Sequence, residues 1–179
     1  MTDRYVKSGA GNSSPYANWA NAATTLAAAF AAASPGDTIY VSKSHSESSS
    51  GFLSLVSPGT HANPVYIIGV DDTGNPVPPT ATASGAVVGS SNGWGIDLGG
   101  VTYSYKVDYV CDRSSSNFEA VFSIDGTNVN GNSYWVFDSC NVTQGSVNAG
   151  SPIRIGSVGS STPSKQSSVL FKNCVVKFT

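Results

Sequence analysis

Apolar and polar positions alternate along this chain in short runs closed by serine, asparagine or glycine, and the runs return at intervals. Ser104-Tyr105-Lys106-Val107 leads to Cys111, Ser133-Tyr134-Trp135-Val136 to Cys140, and Ser167-Ser168-Val169-Leu170 to Cys174. Counted on the cysteines, the unit returns after 29 and then 34 residues. A second alternating run precedes each copy: Ile96-Asp97-Leu98-Gly99, Phe122-Ser123-Ile124-Asp125-Gly126 and Ile153-Arg154-Ile155-Gly156. Alternation of period two predicts strands. Strand pairs recurring at a near-fixed interval predict coils stacked along an axis, with loops of growing length pointing outward. The fold class expected is all-β: a right-handed parallel β-helix solenoid carrying one short N-terminal capping α-helix.

That helix is the only segment of helical period. Leu26 and Phe30 fall on one face, alanines fill the remainder, Thr24 or Thr25 can cap it, and Ser34-Pro35-Gly36 stops it, giving a helix over about 24–33. So short a helix needs a surface to pack on. An open solenoid end, with apolar core and unpaired strand edges, supplies that surface. Tyr5-Val6, Asp37–Ser42, Val65–Val70 and Ala86-Val87-Val88 read as further strands. The whole chain, 1–179, is read as one domain: a cap over 1–37 and coils over 38–179, with coils continuing past Thr179 where the natural chain is longer. Within the copies, Trp135 and Phe137 share one parity while Cys140 and Val142 share the other, so a kink is placed at Asp138-Ser139. Lys172-Asn173 reads the same way. In the first copy Val107, Tyr109 and Cys111 keep one parity, and that coil is expected to turn differently.

Composition fits this picture. Of 179 residues, 40% are hydrophobic and only 11% are charged, against roughly 25% charged in ordinary soluble domains. Serine, threonine, asparagine and glycine make up the difference and suit turns and exposed sheet faces. A formal net charge of -2 without a basic run argues against nucleic acid or an anionic membrane as a partner. No stretch is long and apolar enough to span a bilayer, and Met1-Thr2-Asp3-Arg4-Tyr5 does not open a secretory leader. The three cysteines share one position in the counted repeat, and inward, reduced, stacked thiols are expected, with no metal and no cofactor.

The run Tyr5-Val6, Trp19-Ala20-Asn21-Ala22, Leu26, Ala29-Phe30 and Ala33-Ser34-Pro35-Gly36-Asp37-Thr38-Ile39-Tyr40-Val41 resembles the N-terminal cap of the pectin-lyase-like superfamily of right-handed parallel β-helices. The likeness covers about the first 45 residues, and Asn173-Cys174-Val175-Val176 looks like the rungs that follow such a cap. The resemblance implies the fold, and it implies a range of roles: polysaccharide lyases and hydrolases, phage tailspikes, adhesins and phage structural proteins. The lyase and polygalacturonase motif sets are represented only by Asp71-Asp72 and Arg154-Ile155-Gly156. Asp71-Asp72 ahead of Thr73-Gly74-Asn75-Pro76 reads as a turn, and Arg154 as an outward residue of an alternating strand. Asp97, Asp108, Asp112, Asp125 and Asp138 form no local carboxylate pair of the kind glycoside hydrolysis uses. His45, beside Glu47, and His61 lie in polar loops and are read as structural or solvated. Tyr103, Tyr105, Tyr134 and Trp135 would make a sugar-stacking strip if they faced outward; core and corner packing is the reading adopted.

No catalytic, cofactor-binding or metal residues are therefore assigned. The function expected is that of a non-enzymatic phage virion component, from the tail or capsid surface, made in the host cytoplasm. Its partners would be other virion proteins, copies of itself, or a host-surface glycan. The alternatives are a polysaccharide-degrading tailspike or lyase whose catalytic coils lie elsewhere, and a bacterial surface adhesin. Val175-Val176-Lys177-Phe178-Thr179 reads as a strand without a polar cap, from which self-association of the isolated chain is expected.

Overall fold

The computed structural model describes residues 1–49, 53–71, 80–81, 87–90, 96–112, 122–124, 133–145, 153–155 and 167–178. Strand β1 (Asp3–Val6) and helix α1 (Leu26–Ala32) open the chain. The strands after them fall into circuits of three. The first circuit is β2 (Thr38–Ser42), β3 (Ser46–Ser49) and β4 (Leu53–Val56). The second is β5 (Val65–Asp71), β7 (Val87–Ser90) and β8 (Ile96–Gly99), with β6 (Thr80–Ala81) laid antiparallel on β5. The third is β9 (Val101–Tyr105), β10 (Asp108–Asp112) and β11 (Phe122–Ile124). The fourth is β12 (Ser133–Asp138), β13 (Asn141–Gly145) and β14 (Ile153–Ile155), and β15 (Ser167–Lys172) with β16 (Val175–Phe178) begins a fifth.

Like strands of successive circuits pair in parallel. The first sheet runs β1-β2-β5-β9-β12-β15, the second β3-β7-β10-β13-β16, and the third β4-β8-β11-β14. The molecule is a parallel β-solenoid with one short helix, as its alternating runs foretell. The helix begins at Thr25, whose side-chain oxygen accepts the Ala28 N–H at 3.2 Å, and ends at Ala33. Of the two threonines considered, Thr25 is the cap. Leu26, Ala29 and Phe30 are its buried face.

In the third, fourth and fifth circuits the corner between first and second sheets is made at one left-handed residue each. Lys106, Ser139 and Asn173 have φ of 54°, 56° and 52°. The pairings Tyr105 to Asp138 and Asp138 to Lys172 place all three in register. A left-handed residue between two strands reverses which parity faces inward, so Trp135 and Phe137 are buried before the corner and Cys140 and Val142 after it. The kinks read at Asp138-Ser139 and Lys172-Asn173 are therefore present. The first copy turns in the same way, at Lys106, contrary to the sequence reading. Gly69 of β5 stands opposite this corner, and a Cβ there would collide with the Lys106 carbonyl.

The cysteine register needs a second correction. Cys111 pairs with Gln144, whereas the residue one before Asp108, Val107, stands opposite Cys140, and Cys140 opposite Cys174. The repeat counted along that column is 33 and then 34 residues, from Val107 to Cys140 to Cys174, more even than the cysteine count suggested. Cys140 is buried, Cys174 is half-buried, and both are free thiols. Whether the Cys111 thiol faces inward lies outside the described residues. Burial pushes the Cys140 thiol up to about 11, so little thiolate is available for reaction. Native Cys140 should label with a maleimide far more slowly than denatured Cys140, and Cys140→Ala should cost about 1 to 2 kcal/mol as a small core truncation. Fast native labelling, mapped to Cys140 by peptide mass spectrometry, would contradict this burial.

The interior is threaded by aromatic rings. Phe137 stacks on Trp135 at 5.6 Å and on Phe171 at 5.1 Å, and Tyr109 meets it edge-on at 5.3 Å. Trp135 donates its indole N–H to the Gly99 carbonyl at 3.1 Å and meets Phe30 of the helix edge-on at 6.0 Å. Small residues make this reach possible. Thr102 and Ser104 are the partners of Trp135 and Phe137 on the neighbouring rung, so the indole has room to lean toward the cap. The helix thus plugs the interior down to the fourth circuit, deeper than the contact with the first coil that sequence suggests.

A buried ion pair fastens the cap. Arg4 reaches Asp37 through Nη2 and Nε, each at 3.2 Å, and donates from Nη1 to the Pro15 carbonyl at 2.8 Å. Asp37 also accepts the Thr2 N–H at 2.7 Å and the Ser34 N–H at 3.0 Å. One carboxylate therefore joins the chain start, the helix exit and the first strand of the first circuit.

Candidate functional site

Among the residues considered for chemistry, most are engaged within the fold. His45 is buried, with Nε2 at 3.1 Å from Glu47 Oε2 and Nδ1 at 3.1 Å from Ser8 Oγ. Serine, histidine and carboxylate in line is an arrangement used by hydrolases, but here each end is committed elsewhere. Ser8 Oγ donates to the Ser46 carbonyl at 2.6 Å and accepts the Ser46 N–H at 3.0 Å, occupying the free edge of β3. Glu47 Oε2 accepts the Leu26 N–H at 2.7 Å and so holds the start of the helix. The relay ties the segment after β1 to β3 and α1, which gives His45 a structural role and makes Glu47 an inward residue of a strand.

The carboxylates are similarly placed. Asp71 pairs with Lys43 at 2.8 Å on the surface, where such pairs contribute little. Asp72 and the turn after it lie outside the described residues, as do Asp125 and Gly156. Asp108 accepts from Asn141 at 2.7 Å. Asp138 accepts from Lys172 at 3.1 Å, Asn173 at 3.2 Å and Ser139 at 3.0 Å, and these donors, Lys172 foremost, hold its carboxyl below the usual range. Asp97, Asp112 and Arg154 lie on β8, β10 and β14, with their side chains outside the described set. Among the described residues no three of His, Cys, Asp or Glu are grouped so as to hold a metal, and no helix is long and apolar enough to cross a membrane.

What remains uncommitted is the outer face of the first sheet. Strand alternation sends Ile39, Val65, Ile67, Thr102, Ser104, Trp135 and Phe137 inward, all buried, and therefore sends Tyr40, Tyr66, Tyr103, Tyr105 and Tyr134 outward. These rings fall in three register columns. The column through Tyr5, Tyr40, Ile68 and Tyr105 is covered at its cap end by Trp19, whose ring meets Tyr5 edge-on at 4.8 Å. Tyr66 and Tyr103 share the second, which continues to Val136, and Tyr134 stands in the third, beside Val101. Tyr66 and Tyr103 are register partners with stacked rings 5.6 Å apart, 36% and 37% exposed. Tyr103 meets Tyr134 edge-on at 6.2 Å, and Tyr134 faces the exposed His61 at 5.8 Å. His61 belongs to the segment between β4 and β5, which is pinned where Ser57 Oγ donates to the Val101 carbonyl at 3.2 Å and Gly59 accepts the Val101 N–H at 3.2 Å. Gly100, at φ 71°, lets that segment approach, since a Cβ there would strike the Ser57 carbonyl.

This corrects the core-and-corner reading for Tyr103 and Tyr134, which face outward; Trp135 alone of the four named aromatics is core. Tyr105 is half-buried at the corner, with the Lys106 ammonium 5.1 Å from its ring. Tyr66 was missed, although the alternation Val65-Tyr66-Ile67 already assigns it outward.

Comparison with protein families, curated proteins and solved structures finds no match to this chain. Its class is that of the architecture itself, a parallel β-solenoid with a plugged end and an aromatic outer strip.

Proposed function

We propose that this chain is a non-enzymatic structural and display protein of a phage virion, on the tail or capsid surface, with the outer face of its first sheet as the working surface. The observation that carries this reading is the outward ring cluster of Tyr66, Tyr103, Tyr134 and His61 on a scaffold whose Ser8, His45, Glu47 and Asp37 are spent on internal bonds. Aromatic rings with a polar tip, held on a rigid sheet, suit contact with a partner at low entropic cost. The likeness of the cap segment to pectin-lyase-like β-helices agrees with a particle-borne role. Proteomics of purified phage particles should recover peptides of this chain at a fixed ratio to a major tail or capsid protein, and the purified chain should leave polysaccharides of the host surface at their original length. Absence from particles, or measurable depolymerisation, would reject the proposal.

A further inference from the structure

We infer that the outer face of the first sheet pairs with the same face of a second copy of this chain, the two solenoids running antiparallel about a two-fold axis at Tyr103. The inference rests on the reading of that face as the working surface, and it names the partner. Strand pairing aligns six residues into one outward column along the rod: Asp3, Thr38, Tyr66, Tyr103, Val136 and Leu170, on β1, β2, β5, β9, β12 and β15. Six rungs about 4.8 Å apart make a stripe roughly 24 Å long. Its relief is uneven. Tyr66, Tyr103 and Leu170 stand up, 36%, 37% and 48% exposed, while Val136 at 9% and Thr38 at 7% lie low in the same column.

The relief selects the occupant. A two-fold interface has to fit its own surface, because every contact in it occurs twice. Reversed about Tyr103, this column does so: Tyr66 of one copy meets the low Val136 of the other, Leu170 meets the low Thr38, and Tyr103 meets itself. The axis runs along the strands, so the two sheets stack with their strands aligned, about 10 Å apart as in sheets packed face to face. A face roughly 24 Å by 17 Å, the second figure being five residues of strand, is smaller than the about 800 Å² that a standard interface buries on each side. The dimer is therefore weak and forms with rising concentration.

Charge selects the direction. Asp3 is exposed at the cap end, and among the described residues no cation pairs with it. Lys172 lies at the other end of the face, its side chain 63% exposed beyond its contact with Asp138. It stands in the column of Tyr5, Tyr40, Ile68, Tyr105 and Asp138. In the antiparallel pair Lys172 of one copy falls over Tyr40 of the other, within a lysine's reach of Asp3, whose register partner Thr38 is two residues before Tyr40. Parallel solenoids would set Asp3 against Asp3, like charge on like charge.

Sedimentation velocity of the purified chain over a hundredfold range of concentration should show a reversible monomer–dimer equilibrium and nothing larger. Leu170→Asp and Tyr66→Glu, both at exposed positions, should each weaken the dimer at least tenfold with a parent-like circular dichroism spectrum. Val176→Asp, on β16 of the second sheet, should leave it unchanged. Lys172→Glu should weaken it, and adding Asp3→Lys should restore it. Copper-catalysed air oxidation, which takes two electrons and two protons from a thiol pair, should link Tyr103→Cys into a disulfide dimer far faster than Leu170→Cys or the parent, since only a residue on the axis meets its own copy. A monomer at every concentration, growth beyond a dimer, or parent-like association in both Leu170→Asp and Tyr66→Glu overturns the inference. So does Leu170→Cys linking as readily as Tyr103→Cys, or a Lys172→Glu defect that Asp3→Lys does not repair. Dimerisation is read on the purified chain and the virion setting on particles, so the two failures stay distinct.

Discussion

Phe30→Asp is expected to leave the chain unfolded in buffer at 25 °C. Phe30 is 3% exposed and lies against Trp135, so the substitution puts a carboxylate into an apolar interior with no described cation beside it. The cost is several kcal/mol, comparable with the roughly 5 to 15 kcal/mol that holds a typical domain together. Phe30→Leu keeps the apolar plug and should cost only about 1 to 1.5 kcal/mol. A circular dichroism melt of Phe30→Asp that overlays the parent curve would dispose of the plug.

Asp37→Ala is the second large effect. It strips the buried Arg4 guanidinium of its counter-charge and leaves the Thr2 and Ser34 N–H groups unpaired. Breaking one side of a buried pair costs about 3 to 5 kcal/mol. Acid should act through the same group. Burial alone raises the Asp37 carboxyl, but the Ser34 and Thr2 N–H groups and Arg4 together outweigh it and hold the carboxyl below its ordinary value. A carboxyl lowered by folding contributes stability that is complete above its unfolded pKa of about 3.9 and is lost as pH falls through the folded value. The parent Tm should therefore fall below about pH 4, and the fall should be shallower in Asp37→Ala, whose starting Tm is lower. Equal acid slopes in the two proteins would mean that Asp37 is not the titrating lock.

The parts of this fold written as local pattern were legible in the sequence. Leu26 and Phe30 on one helical face, a threonine cap, alternating strands, and a parity change at Asp138-Ser139 all follow from neighbours a few residues apart. The register was not legible. Aligning Cys111 with Cys140 set Ser104 against Ser133, but the chain turns at Lys106, and the true partner of Ser104 is Phe137. A lysine gives no warning of a left-handed corner, whereas asparagine in that conformation, as at Asn173, is common. The Arg4–Asp37 pair joins residues 33 apart, and nothing in either neighbourhood announces it. His45 and Glu47 were hidden by their serine-rich surroundings, which resemble a solvated loop although His45 is buried and Glu47 caps the helix. The exposed tyrosines lay between these cases: alternation assigns each ring a side, but only the pairing of β5 with β9 stacks Tyr66 on Tyr103, and Tyr134, two residues out of their register, meets Tyr103 diagonally.

A stack in which each layer touches only the next is free to fray from either end, layer by layer. The contact of Phe30 with Trp135 removes that freedom, because it binds the lid of the rod to a layer three strands further along the same sheet. Peeling back the helix withdraws a ring from the middle of the stack, and disturbing the fourth circuit loosens the lid. The described portion of the solenoid is thus built to melt as a single cooperative unit.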